Sequence, residues 1–291
     1  MQPGLTPTKN LGELSGEVLC FGGPYSNLQA TEAMLAEINR RGIPPGNVIC
    51  TGDVVAYCAD PVATVEAIIN SGIHVVMGNC EESLGFSSDD CGCGFKEGSE
   101  CDVLSRQWFT YAGQKLSEKA REWMRSLPRT ITFSLEGRRF TVIHGGVSEI
   151  GKFVFASTPC AEKKGEFESL TGPASPAIIG GHCGLPFTDL ENVPDGYVWH
   201  NAGVIGMPAN DATPRGWFST INSNPSGIEF SHHPLDYDWQ TASFRMQQES
   251  LAQPYADALK TGLWPNMDVL RSEERLLKGQ PVTTPYIHHW S

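Results

Sequence analysis

Four short segments, TGDVVAY, MGNCEE, VIHGG and GGHCG, each place a nitrogen- or oxygen-bearing side chain just after an apolar run: Asp53, Asn79, His144 and His182. In open α/β sheets, ligands gather beyond the carboxyl ends of the strands, so four strand-terminal loops offering one donor each converge on one point. A single Gly-Asp pair, or a lone histidine after a strand, is more often structural than functional. The four together and in order demand a fold that brings several strand ends to one place.

The pattern between these segments supplies such a fold. Glu17–Phe21 reads as a short buried strand, and Leu28, Met34, Leu35 and Ile38 then recur at helical spacing before the break at Gly42-Ile-Pro-Pro. Val48–Thr51 repeats the strand signal, Pro61 opens a second helix as a first-turn proline, and His74–Met77 supplies a third strand. Three β-loop-α steps imply a parallel sheet. Residues 82–104 form a Gly-, Ser-, Asp- and Cys-rich insertion, followed by a helix predicted from Ser105 to Arg125. From Arg129 the short strands ITFSL, RFTVIHGG, AIIGGH, YVWHNAG, GWFSTIN and IEFSHHPL imply a second sheet. At 291 residues and 40% apolar, the chain is most economically one large domain over 1–235. Residues 236–291, with Trp239, Trp264 and Trp290, are too polar for a core of their own and read as a helical extension packed on that domain, available to cover a site or a dimer contact.

A net charge of −12 disfavours nucleic acid and anionic membranes, whose phosphates require a basic face. The first residues lack a basic start followed by an apolar stretch, and no segment approaches the ~18 consecutive apolar residues of a membrane span, so a cytoplasmic protein is expected. The nine cysteines are odd in number in a chain far larger than a disulfide scaffold, which favours reduced thiols or metal ligands.

At the level of motifs the sequence resembles the calcineurin-like metallophosphoesterase superfamily over about residues 17–232. GDVVAYCADP, NLQATEAML and NAGVIGMP followed by GWFSTI resemble its small bacterial branch, which often carries Cys in place of the His of its GNH motif. The resemblance implies a four-layer α/β/β/α sandwich, two mixed sheets flanked by helices. It gives Asp53 the role of bridging carboxylate and makes Asn79, His144 and His182 the other ligands of the second metal position. The first position uses the Asp and His of a D-x-H motif, the bridging Asp and the last His of GH-x-H. Here those places read Gly23, Tyr25, Asp53 and Gly184, so both motifs are degenerate and three of four ligands are missing.

The implied function is hydrolysis of a phosphomonoester or phosphodiester by a metal-bound hydroxide, at an altered centre that is mononuclear or contains thiols. Such a protein is a hydrolase acting on the ester bond of a small phosphorylated substrate. Cys80 stands in the place of the general acid, Glu81 matches the acidic residue supporting it, and Asn27 matches an Asn that contacts substrate. Tyr25 is either a phenolate ligand or hydrogen-bond donor, or an aromatic filling the volume of the missing ion. Two alternatives stand beside the hydrolase: a catalytically inactive binding protein of the same fold, and a metal-thiolate or redox protein on that scaffold.

Cys58, Cys80 and Cys183 fall inside the motif loops. Thiolate with imidazole favours Zn or Fe over Mn or Mg, so one or two divalent ions of the softer kind are expected per chain. Cys91, Cys93 and Cys101 could make a four-thiolate cluster with Cys80 or Cys58, a redox pair, or buried thiols in a loop over the site. The sequence leaves a homo-oligomer open.

Overall fold

The computed structural model describes residues 8–95, 97–283 and 286–291. After β1 (Lys9–Leu14), the wholly buried β2 (Val18–Phe21) leads into α1 (Leu28–Arg41), which ends at Gly42 in the left-handed conformation. The second unit is β3 (Val48–Cys50) and α2 (Pro61–Ser71), opened by the proline in its first turn, and the third is β4 (His74–Val75) and α3 (Asn79–Gly85). β2, β3 and β4 pair in parallel, as the three β-loop-α steps require.

The insertion differs from its predicted extent. α3 takes its first residues, and α4 (Glu100–Lys115) begins five residues before Ser105, because Ser99 accepts a hydrogen bond from Asp102 N and caps the helix there. The predicted continuous helix breaks at Leu116–Ser117, where the Ser117 hydroxyl accepts from Ala120 N and starts α5 (Glu118–Ser126). What remains irregular, among the described residues, is 86–95 and 97–99.

Next come β5 (Ile131–Leu135), β6 (Arg138–Val142), α6 (Cys160–Glu168), β7 (Ala177–Gly180), β8 (Phe187–Asp189), β9 (Val198–Asn201), β10 (Gly216–Asn224) and β11 (Gly227–Leu235). The C-terminal segment forms α7 (Trp239–Gln248), α8 (Gln253–Thr261), α9 (Ser272–Leu276) and β12 (Tyr286–Trp290). That last strand departs from the all-helical extension expected, because β12 pairs antiparallel with β11 and buries Trp290 beside Phe140 and Phe230.

Among the described residues the strands form two six-stranded mixed sheets, ordered β1-β5-β6-β7-β9-β8 and β12-β11-β10-β2-β3-β4. Between them lies a core of alternate strand residues, including Val18, Ile49, Phe133, Phe140, Ile179 and Phe230. The opposite face of the second sheet packs Leu19, Phe21 and Val48 against Met34 and Ile38 of α1 and Val65 and Ile68 of α2. The opposite face of the first packs Ile178 and Trp199 against Phe167 of α6. The result is a four-layer α/β/β/α sandwich. No helix among the described residues is long and apolar enough to cross a membrane.

Candidate metal centre

β3, β4, β6 and β7 end on the same side of the sandwich, and Asp53, Asn79, His144 and His182 each lie within four residues of one of those ends. One ligand atom from each of Asp53, His144 and His182 lies within 4.8 Å of the others, and all three residues are buried. His144 Nε2 is 2.9 Å from Asn79 Oδ1, 2.9 Å from His182 Nδ1 and 3.3 Å from an Asp53 carboxylate oxygen. Four sequence-predicted ligands thus meet at one nitrogen.

Local chemistry holds each donor in place. His144 Nδ1–H donates to Thr51 O at 2.7 Å, so Nε2 presents its lone pair to the cluster. The Asn79 amide donates to Cys91 O at 2.9 Å, which turns its oxygen inward. Glu81, completely buried, accepts hydrogen bonds from the backbone N–H groups of Asp53, Val54 and Gly78 at 2.8, 2.8 and 2.9 Å, tying the Asp53 loop to the start of α3. Gly78 is needed at that seam because a Cβ there would stand 2.6 Å from Asp53 N. Asp53 itself has φ +57, and Tyr25, Ser26 and Tyr57 nearby are also left-handed at φ +52, +57 and +41. Strained non-glycine residues gathered in adjoining loops are characteristic of functional sites.

The electrostatics follow from burial and proximity. Burial pushes the Asp53 carboxyl up, but His144 and His182 outweigh it and hold the group below its usual range. Burial lowers His144 while Asp53 raises it, and the net direction is up. Burial, with His144 beside it, pushes His182 down to about 3. Burial and then Asp53 raise Glu81 to about 7 and the Cys80 thiol well above its ordinary value.

Aromatic rings stand beside Gly23 and Gly184, the two glycines in the motif places read as degenerate. An added Cβ on Gly23 would lie 2.5 Å from two ring atoms of Tyr25 and 2.8 Å from Val204 Cγ1, and Gly23 has φ +45. On the far side, Gly184 faces the Trp264 ring, 3.5 Å from where its Cβ would be. Asn27 caps α1, its Oδ1 accepting from Ala30 N and its Nδ2 donating to Gly206 O, so both polar atoms of its amide are engaged within the fold.

Among the described residues no cysteine joins the group of Asp53, His144 and His182, although the sulfurs of Cys80 and Cys93 each lie 3.5 Å from Asn79 Nδ2. Of the readings open for the insertion cysteines, a pair is what forms: Cys91 and Cys93 are joined to each other, with the left-handed turn at Gly92 between them and their Cα atoms 5.3 Å apart, which departs from the general expectation of reduced thiols or metal ligands. Cys101 donates to Asn266 Oδ1, which removes it from any cluster with that pair. Cys58 and Cys183 are buried, their thiols directed at the carbonyls of Gly206 and Leu185, and Cys80 Sγ is 3.5 Å from Asn79 Nδ2. Sequence reasoning missed the walls of the site. A cavity of about 90 Å³ opens beside Asp53 and His182, and Tyr57, Phe153, Tyr255 and Trp264 join Tyr25, Cys93, Cys101 and Cys183 in lining it. Nothing local in the sequence marks these aromatics; Tyr255 comes from α8 and the other three from separate loops.

Comparison with known proteins gives the family and the fold. A family model described as the calcineurin-like phosphoesterase superfamily domain matches residues 25–222. The uncharacterized protein MJ0912 of Methanocaldococcus jannaschii is 23% identical over 253 residues, spanning 82% of this chain and 95% of its own. A metallophosphoesterase from Sphaerobacter thermophilus has the same fold, with TM-score 0.64 and 20% identity over 86% of this chain and 100% of that one. So does the hypothetical protein PH1004 from Pyrococcus horikoshii OT3, with TM-score 0.69 and 17% identity over 85% of this chain and 99% of that one.

Proposed function

The chain belongs to the calcineurin-like phosphoesterase superfamily, and on that premise we propose that it hydrolyses a phosphate ester at one divalent ion per chain, held by Asp53, Asn79, His144 and His182. The observation that carries this reading is the convergence of those side chains within hydrogen-bonding distance of His144 Nε2. The donor set fits an ion. His144 Nε2, presenting a lone pair because its Nδ1–H is given to Thr51 O, faces His182 Nδ1 at 2.9 Å beside the Asp53 carboxylate and the Asn79 amide oxygen, an arrangement of facing acceptors that a cation would complete. Two imidazoles with a carboxylate and an amide oxygen suit Zn or Fe better than Mg. A bound ion of this kind supplies Lewis-acid charge and lowers the pKa of water toward neutrality.

The protein residues have separable tasks in this reading. Asp53 brings the negative charge that draws the ion, and the Thr51 carbonyl keeps His144 in the tautomer that can bind it. Glu81 fixes the Asp53 loop. Cys80, adjacent to Asn79 and held protonated by burial and by Asp53, is the group able to pass a proton to the departing oxygen. A second reading, a phosphoesterase-fold binding protein without turnover, is favoured by one observation: the Tyr25 ring occupies the place where a residue-23 ligand to a second ion would project.

Metal content by elemental analysis, with hydrolysis of p-nitrophenyl esters under added Zn, Fe, Mn or Mg, separates the two. About one ion per chain, lost together with activity in Asp53→Asn, is the expected result. A chain that takes up less than about a tenth of an equivalent and hydrolyses nothing would overturn the hydrolase and favour the binding protein.

A further inference from the structure

Resting on the hydrolase reading above, we infer that the cavity beside Asp53 and His182 selects a phosphodiester with one negative charge and a small apolar ester group. Its walls are aromatic: Tyr25, Tyr57, Phe95, Phe153, Tyr255 and Trp264. Tyr57 anchors the cluster, its ring centroid 4.9 Å from that of Tyr25 and 4.7 Å from that of Tyr255. Phe153 lies against His182 at 4.3 Å, so the apolar wall runs up to the ligand set without a polar gap.

Charge and polarity limit what can enter. Among the described residues lining the cavity there is no lysine or arginine. A second negative charge on the phosphoryl group would meet only the ion and the carboxylate of Asp53. The polar contacts on offer are neutral. The hydroxyls of Tyr25, Tyr57 and Tyr255 have no partner among the described residues, and burial keeps all three protonated. Trp264 Nε1 is already committed to Pro208 O and Asn266 Oδ1 to Cys101, which leaves the Asn266 amide N–H as a further neutral donor in the lining.

Volume decides the size of the group. About 90 Å³ is the share of roughly three water molecules and less than the ~150 Å³ cavity that takes a benzene ring. A short alkyl chain or the edge of one ring fits inside; a nucleoside would extend beyond the cavity and leave most of its surface unburied. Each methylene moved from water into such a wall strengthens binding about four-fold, so chain length should be read out directly until the space is full.

The test is a series of p-nitrophenyl alkyl phosphates from methyl to hexyl, beside p-nitrophenyl phosphate and the p-nitrophenyl ester of thymidine 5′-phosphate. In parallel, binding of the unreactive alkyl methylphosphonates is followed by Trp fluorescence. The expected result is kcat/KM rising about four-fold per methylene over the first three or four carbons and then levelling, with the best alkyl ester at least ten-fold above the other two substrates. Met207, buried and on the cavity wall, provides the structural control: Met207→Ala should move the plateau to longer chains, and Ala258→Phe should flatten the series. A flat series, or preference for the thymidine ester or the monoester, overturns the inference while hydrolysis stands. Phosphonate binding with the chain-length slope but no turnover of any ester upholds the cavity's preference and sinks the hydrolase. Neither binding nor turnover overturns both.

Discussion

Replacing Gly23 tests whether the first metal position is physically closed or merely lacks ligands. Two costs are legible in the structure. Gly23 has φ +45, where an L-residue costs about 1–2 kcal/mol. Its Cβ would also sit 2.5 Å from Tyr25 Cε2 and Cζ and 2.8 Å from Val204 Cγ1, an overpacking penalty of about 1–3 kcal/mol. Gly23→Ala should therefore lose about 2–5 kcal/mol in urea denaturation. Tyr25→Ala alone, removing a ring that is 6% exposed, should lose about 3–5 kcal/mol. In the double variant most of the clash disappears while the backbone cost and the Val204 contact remain. The combined loss should then fall short of the sum by about 1–3 kcal/mol, the coupling expected of residues in direct contact. Additivity within about 0.5 kcal/mol would refute the argument that the Tyr25 ring occupies the space of a residue-23 side chain. Confirmed coupling would also mean that the Asp of a D-x-H pair cannot be restored at position 23 while Tyr25 remains.

Three further outcomes follow from the same structure. Glu81→Gln leaves one of three buried N–H groups facing an amide N–H, so stability should drop about 1–3 kcal/mol and metal affinity about 10–100-fold; urea curves and metal titration that both match the parent would dismiss its role in holding the Asp53 loop. His200 and His232 are buried between the sheets, and burial holds His200 well below its ordinary pKa and His232 down to about 3. Since an unfolded imidazole protonates near ~6.5, their contribution to stability is full above about pH 6.5 and is lost as pH falls from there toward 3; urea midpoints at pH 7 and 4.5 should show the drop, and His200→Asn should reduce it. Trp290→Ala should cost about 3–5 kcal/mol by emptying the space beside Phe140 and Phe230, lowering Tm by about 6–20 °C in a calorimetric scan. A shift below about 2 °C would mean that β12 contributes little to the core.

Much of the fold was readable because its signals are local. The alternation of buried strands with helices from Val18 to Gly72 is written in runs of three to fourteen residues, with Gly42, Pro61 and Gly72 as punctuation. The insertion was misjudged where two serines, Ser99 and Ser117, each capped a helix inside what looked like loop or continuous helix. The strand at Tyr286–Trp290 was missed because a two-sided edge strand carries little pattern of its own, and only the presence of β11 gives it a partner.

By itself, the sequence determined that donors follow parallel strands, and therefore that Asp53, Asn79, His144 and His182 would come together, since strands paired in parallel deliver their ends to one side. It also determined that the D-x-H pair is absent. Only the tertiary structure decided what stands there instead. Tyr25 fills the space by folding back over Gly23, while Trp264 comes to Gly184 from 80 residues further along the chain. Whether a vacated ligand position becomes a gap, a second site or an apolar wall depends on side-chain volumes packed from distant segments, and no local pattern of residues encodes that.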